Sequence, residues 1–413
     1  MWRILVRPDV IFTVATAQAL SPYLFWQFGV GEFKGQANLN YLPLVVWTLG
    51  WFAFLVGSSV PRRLHHSEPA FEISLSESTL KIATYVTLAV ICLQVVSLAR
   101  LYGGLPILSY VKQDGAMNIG TAVALQEESG TGQVGSVYVT TALLHGLVLL
   151  LIVKNLEQKR RDQLLIFLSL LVLFAAHSIN GKRQGFVRAA AFLVTGLTLY
   201  AGSPIDALAR ATRLVRTTRG AWTALAASVA LLLSSFGYLA MIRNQGRYSR
   251  GSLEEIITYQ EYSLVNFEIQ CGASGLGPYR LDLFLWMRRL IPWKWMEAAG
   301  VTDTDMPRRY EPWAPAGLYE DIQWSLGIAG CVVFSLLLGF FTMWCYRQAL
   351  ASPFCLLAYC QIAFSLLLAH SFNEFVSLSW IPAPLALFLL LRGALSTRRV
   401  TSFLNGRAAL ADL

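Results

Sequence analysis

Charge is scarce in this chain. Of its 413 residues only 14% are Asp, Glu, Lys or Arg, against about 25% in soluble domains, while 55% are hydrophobic and the mean hydropathy is +0.52. This shortage excludes a soluble globular fold, because a soluble protein of this size could not hide so many apolar runs of roughly 20 residues, the length that crosses a bilayer. Strict two-residue alternation is also lacking, which excludes a β-barrel. Other absences narrow the chemistry. No Gly-rich phosphate loop marks ATP use, and no GxSxG elbow or HExxH helix marks a hydrolase. No Cys/His spacing suits zinc, and neither a metal nor another cofactor is expected. The six cysteines offer no disulfide framework: Cys92, Cys331, Cys345, Cys355 and Cys360 fall inside apolar runs, and Cys271 alone lies in a polar loop. No small-residue cleavage site follows the first apolar run, which is therefore expected to remain as a span. No acidic residue lies deep in the first six runs, where a proton-coupled transporter more often carries one. The basic residues behind the net charge of +9 are scattered over short loops, so nucleic acid is not expected as a partner. Anionic lipid headgroups or an anionic substrate fit that charge.

What the chain does have is a series of apolar runs. They predict an all-α polytopic membrane protein of about ten transmembrane helices, near 10–28, 41–60, 80–100, 134–154, 164–179, 187–202, 221–242, 323–346, 353–371 and 377–392, forming a single integral membrane domain over 1–413. An even number of spans places Arg3 and Arg7, Arg62 and Arg63, Lys154 to Arg161, Arg210 to Arg219, and Arg398, Arg399 and Arg407 on one side. The positive-inside rule makes that side the cytoplasm, with both termini in it. Three segments then face outward: a Gly-rich loop at 101–133, a short turn at 180–188, and a long loop at 243–322. The long loop is expected to be partly helical. Ser252 and Glu255 form a capping box that opens a helix through about Gln270, and Gly272, Gly275, Gly277 and Pro278 break it. The stretch 281–299 mixes Trp286, Trp293 and Trp295 with Arg288, Arg289 and Lys294, the pattern of a helix lying on the headgroups.

The short outer turn carries the least expected charge. Lys182, Arg183 and Arg188 crowd it, although positive charge normally collects on the cytoplasmic side. Long basic side chains can snorkel to headgroups. The alternative is a clamp for an anionic substrate such as a lipid-linked diphosphate, since arginine holds phosphate oxygens with a planar fork. Arg183, in the turn itself, is the first choice, and Arg188 sits one turn into the next helix. Arg243, Arg247 and Arg250 recur at helical intervals around Tyr248 and form either a second half of this anion site or a solvated helix end. Arg280, Arg308 and Arg309 follow with less support. A transfer reaction also needs a base. Most outward acids, including Glu254, Glu261 and Glu268, read as solvated loop residues. Glu320 and Asp321 stand just before the eighth span, where partial burial would raise a carboxyl pKa as a base requires. His370 and Glu374 stand at the outer end of the ninth span, and ionisable residues at membrane depth are functional candidates. His370, like His177 before the basic turn, reads equally as a satisfied helix-end histidine.

Four stretches give the chain a resemblance to bacterial oligosaccharide repeat unit polymerases, the Wzy-type O-antigen and capsule polymerases. Tyr102-Gly103-Gly104-Leu105-Pro106-Ile107-Leu108 is similar to that family's Gly-Gly-Ile-Pro-Leu segment at an outer loop. Gly181-Lys182-Arg183 resembles its Gly-x-Arg turn, and Tyr259 to Phe267 its Tyr-containing loop helix. Asp321 to Gly330, ending Leu326-Gly327-Ile328-Ala329-Gly330, resembles its acidic residue followed by Phe-Gly-x-x-Gly, with Leu326 in place of the aromatic. The resemblance implies a glycosyltransferase C-like fold in the bacterial inner membrane. It implies transfer of an undecaprenyl-diphosphate-linked glycan to the non-reducing end of another lipid-linked unit. A chain-length regulator and a flippase are the implied partners beside lipid. An O-antigen ligase remains an alternative within the same chemistry. A flippase or transporter of lipid-linked sugars is an alternative from another class, although the internal repeats common in transporters are not evident.

Overall fold

The computed structural model of the protein describes residues 2–27, 41–63, 77–101, 132–158, 162–179, 184–202, 204, 264–272, 275, 277–278, 293–300, 317–349, 352–370 and 385–386. Among the described residues all regular structure is helical and there is no strand. The helices are α1 (Trp2–Leu5), α2 (Pro8–Gln27), α3 (Leu42–Arg63), α4 (Glu77–Leu101), α5 (Gly132–Gln158), α6 (Gln163–Ile179), α7 (Gln184–Ala201), α8 (Trp293–Ala298), α9 (Leu318–Gln348) and α10 (Pro353–Leu367). A further helical stretch covers 264–272. Local chemistry sets several starts. Pro8 opens α2 and Pro353 opens α10, at the position where a missing N–H costs nothing. Arg7 grips Asp9 in the first turn of α2 through two hydrogen bonds of 3.1 and 3.0 Å.

Four helices contain segments long and apolar enough to cross a membrane: Leu42–Pro61, Ser78–Ser97, Val139–Leu156 and Leu318–Gln348. Shorter apolar segments lie in α6, α7 and α10. Large apolar side chains are exposed in stripes. On α3 they are Val45, Leu49, Phe52, Val56 and Val60, and on α4 Ile82, Tyr85, Val86 and Leu93. Both series follow one helical face. Contiguous apolar faces of this kind suit lipid and not water. The expected span at 221–242 and the outer loop at 101–133 lie outside the described residues, apart from Leu101, Gly132 and Gln133. So does nearly all of the expected span at 377–392.

The chain forms two compact units. The first comprises 1–68, 250–348 and 361–382, and the second 69–249, 349–360 and 383–413. In the first unit α3 and α9 pack along each other and against α2. Their crossing is set by glycine. Gly57 rests on the Leu336 backbone carbonyl, and Gly339 on that of Phe54, so the two backbones meet without intervening side chains, as small residues allow in membrane helices. Phe12 of α2 stacks on Phe54 at 4.1 Å, and Trp51 Nε1 donates to Thr13 Oγ1 at 3.0 Å. At one end the Tyr346 hydroxyl donates to the Arg3 carbonyl at 3.2 Å, and the Arg347 guanidinium donates to the Pro61 carbonyl. These bonds gather α1, the end of α3 and the end of α9.

In the second unit α5 is central, packing on α4, α6 and α7. Lys81 and Asp162 pair at 2.6 Å, which ties the start of α4 to the start of α6. His145 of α5 meets Phe192 of α7 at 5.7 Å, and Gly196 of α7 receives the Leu149 side chain. The two contacts keep the same sequence offset, so α5 and α7 run parallel. The same offset puts Arg188 level with Thr141.

The helix α9 is broken. Gly327 has φ 67° and ψ −169°, a backbone region essentially open to glycine alone. A polar half at 318–326, with Glu320, Asp321, Gln323 and Ser325 buried, gives way to an apolar half at 328–348. Here the structure corrects the hydropathy pattern, which starts this span at 323 and leaves Glu320 and Asp321 before it. The helix begins at Leu318, and both acids lie in its first turn. Replacing Gly327 with Val is expected to lower stability by about 1–3 kcal/mol, read as a lower melting temperature in detergent.

Candidate functional site

The polar half of α9 gathers a buried cluster in the first unit. Its start is fixed from two directions. The Gly317 N–H donates to Glu320 Oε2 at 3.2 Å, the reciprocal half of a capping box. The Leu318 N–H donates to the Ala369 carbonyl at 2.6 Å, and Gly317 lies so close to the His370 carbonyl that a Cβ would overlap it. The turn 368–370 after α10 is thereby held against the start of α9.

That turn delivers His370 into the interior, where it is 3% exposed. Its Nε2 and Thr16 Oγ1 are 2.9 Å apart. Its ring is surrounded by Trp47 at 5.0 Å, Phe12 at 5.4 Å and Tyr319 at 5.5 Å. The Tyr319 hydroxyl bonds Ser335 Oγ at 2.7 Å and occupies the space above Gly50 that a side chain would need.

The helical stretch 264–272 closes another side. Phe267 stacks on Trp47 at 5.8 Å. Gln270 Nε2 donates to the Glu320 carbonyl and, at 2.9 Å, to Gln323 Oε1. Gln323 Nε2 in turn donates to the Gly275 carbonyl at 2.8 Å. Gly275, at φ 63°, ends the stretch by donating its N–H to the Cys271 carbonyl at 2.8 Å. Buried amides without such partners would be costly, and this chain of bonds gives both amide nitrogens an acceptor while locking the loop segment onto α9. Asp321 is fully buried, and its carbonyl accepts from Ser325 Oγ at 3.0 Å. Among the described residues, no group of three His, Cys, Asp or Glu side chains converges as a metal site.

The sequence-based candidates divide as follows. Glu320, Asp321 and His370 are all buried in the first unit, with the Glu320 carboxylate and the His370 backbone carbonyl both beside Gly317. The burial of the two acids is complete, not partial as their position suggests. Arg188 lies in the second unit, one turn into α7, and is 2% exposed. Lys182, Arg183, Arg243, Arg247, Tyr248, Arg250, Arg280, Arg308, Arg309 and Glu374 lie outside the described residues. Two expectations are corrected. Glu268, taken from its loop position as solvated, is buried, and so is Cys271. The cause is packing of 264–272 on α9. Burial, with the Glu268 charge adding to it, pushes the Cys271 thiol up to about 12. The thiol therefore stays protonated through neutral pH, and thiols react as thiolates. Cys271 is expected to resist a water-soluble maleimide at pH 7 in the folded protein and to react after denaturation, as mass spectrometry of its peptide would show. Thr16, Tyr319, Gln270 and Gln323 are not evident from motifs. The buried amides carry one usable signal, since Gln323 opens an apolar run, where polar side chains need partners.

Comparison with protein-family models, with curated proteins and with solved structures found no match.

Proposed function

We propose that the protein elongates a glycan carried on a lipid diphosphate, acting as a polymerase of undecaprenyl-diphosphate-linked repeat units at the outer face of the bacterial inner membrane. The observation that carries the proposal is the burial of Glu320, Asp321 and His370 in the first unit, the two acids in the first turn of a broken helix and His370 in the turn packed against its start. Ionisable groups buried in such helices are costly and usually functional. The residues that carry the resemblance to Wzy-type polymerases, including the acidic residue and the glycine at the break, support the same reading. A glycosyltransferase C-like arrangement of about ten spans, with both termini in the cytoplasm, belongs to this proposal.

In this reaction the hydroxyl at the non-reducing end of the acceptor attacks the anomeric carbon of the donor. The bond from that carbon to the diphosphate oxygen breaks, and its electron pair leaves with the lipid diphosphate. The donor brings its own activated leaving group, so no nucleotide is required. Glu320 accepts from the Gly317 N–H and so holds the helix start. Asp321 and His370 are the buried groups suited to take the hydroxyl proton. A departing diphosphate is favoured by cations, for which Arg183, Lys182 and Arg188 are the sequence's candidates, while Arg243, Arg247, Tyr248, Arg250, Arg280 and Glu374 are its candidates for further substrate contacts.

The test is elongation by purified protein given lipid-linked repeat units alone. Arg183→Ala is expected to slow elongation roughly 10- to 100-fold, the worth of a hydrogen bond to a charged group, with Arg183→Lys also impaired because a point charge lacks the fork. Wild-type polymer lengths from Arg183→Ala would remove the clamp. A requirement for a lipid A core acceptor would instead identify a ligase, and movement of the lipid-linked sugar without lengthening would identify a transporter.

A further inference from the structure

The bond between Thr16 and His370 has a direction that the neighbouring Phe12 carbonyl determines. Thr16 Oγ1 lies 2.9 Å from the Phe12 carbonyl, and a carbonyl oxygen can only accept. A hydroxyl has one proton, and this one is committed to Phe12. Toward His370, at 2.9 Å, the Thr16 oxygen therefore has only lone pairs to offer. The hydrogen in that bond must come from the histidine, which makes Nε2 the protonated nitrogen. In the neutral ring the other nitrogen, Nδ1, is then a bare acceptor. It is buried, and among the described residues it has no hydrogen-bond partner. Aromatic rings of Trp47, Phe12 and Tyr319 lie within 5.5 Å of the imidazole centroid, and the Nδ1 lone pair lies in the ring plane, so a donor for it must arrive there. A buried acceptor unmatched by the described residues is a place where an incoming hydroxyl can donate.

We infer that Thr16 is the positioning residue that holds His370 as its Nε2–H tautomer and presents Nδ1 to the hydroxyl of the acceptor glycan. The inference rests on the proposed glycosyl transfer for its chemistry, although the tautomer does not depend on that reading. In the step, the acceptor O–H proton passes to His370 Nδ1 as the oxygen forms its bond to the anomeric carbon. The electron pair of the broken bond leaves on the diphosphate. The imidazolium keeps its Nε2–H on Thr16 and later releases the Nδ1 proton to water or the departing diphosphate. The orienter is a hydroxyl from a helix distant in sequence, in the place where a second group orients the base in hydrolytic triads.

The experiment is nitrogen NMR of full-length protein, labelled with 15N-histidine, in lipid nanodiscs, with the His370 signals assigned by their loss in His370→Gln. Wild-type protein is expected to show a protonated Nε2 and an unprotonated Nδ1. Thr16→Ser, which keeps the oxygen, should preserve that pattern. Thr16→Val should give a mixture of tautomers and lower kcat for elongation about 10-fold or more, with KM little changed. Should Thr16→Val fail to insert, Thr16→Ala removes the same oxygen and is read in its place. A protonated Nδ1 in the wild type, or an unchanged pattern in Thr16→Val, overturns the inference, as does wild-type kcat in a variant whose tautomers have mixed. Absence of elongation by the wild type overturns the glycosyl-transfer reading instead, and the spectrum by itself still decides whether Thr16 fixes the ring.

Discussion

The His370→Gln protein is expected to insert and fold as the wild type does and to elongate glycan about 10²–10⁴ times more slowly, the usual contribution of a positioned general base. The choice of glutamine isolates the chemistry. Its amide nitrogen can reach about as far as Nε2 and can still donate to Thr16 Oγ1, 2.9 Å away in the native site. The flat amide can also sit among Trp47, Phe12 and Tyr319, which line the imidazole. What it lacks is a basic nitrogen. A purely structural histidine would leave elongation nearly intact in this variant. Single-turnover rates with lipid-linked donor and acceptor, beside melting curves, separate the two cases: a large rate loss at unchanged melting temperature supports the base, and a parallel loss of both removes it.

Leucine in place of both Gly57 and Gly339 is expected to unfold the first unit. Each glycine touches backbone and not a movable side chain, Gly57 at Leu336 and Gly339 at Phe54. Relief therefore requires α3 and α9 to separate. Overpacking of cores costs typically about 1–3 kcal/mol per site, and a rigid backbone neighbour puts these sites at the upper end. The pair together removes a large part of a total stability of about 5–15 kcal/mol. Separation would also break the seat of Tyr319 above Gly50 and, with it, the box around His370. Limited proteolysis in detergent should show new cleavage within α3 and α9. A double variant that melts within a few degrees of wild type would mean that the two helices are not held by this contact.

How much of this was legible in the sequence depends on what kind of signal each residue leaves. The break in α9 at Gly327 left no distinct mark in the sequence, since Gly330 and Gly339 in the same apolar run stay helical. Glu320, Asp321 and His370 stand out because ionisable residues are rare among apolar neighbours. Their exact depth did not, because hydropathy penalises charge and so ends a span at the very residues that the helix buries. Glu268 and Cys271 misled for the related reason that loop residues are mostly solvated, and only the folded chain shows that 264–272 lies against α9. Thr16 was invisible. A threonine in an apolar helix carries almost no signal, and its partner is 354 positions away. The basic turn at Lys182 and Arg183 was conspicuous by its charge, and Arg188 beside it proves to be buried in α7.

The most direct measurement of the central claim, that buried acidic and imidazole groups at the start of a broken membrane helix transfer glycan between lipid-linked units, is a reconstitution. Purified protein in liposomes would receive lipid-linked repeat units and nothing else, with products resolved by length and released lipid diphosphate quantified. The account predicts a ladder of lengthened glycans and one lipid diphosphate released for each unit added, both strongly reduced in His370→Gln. Repeat units that remain single, or a ladder of equal yield from His370→Gln, would contradict it.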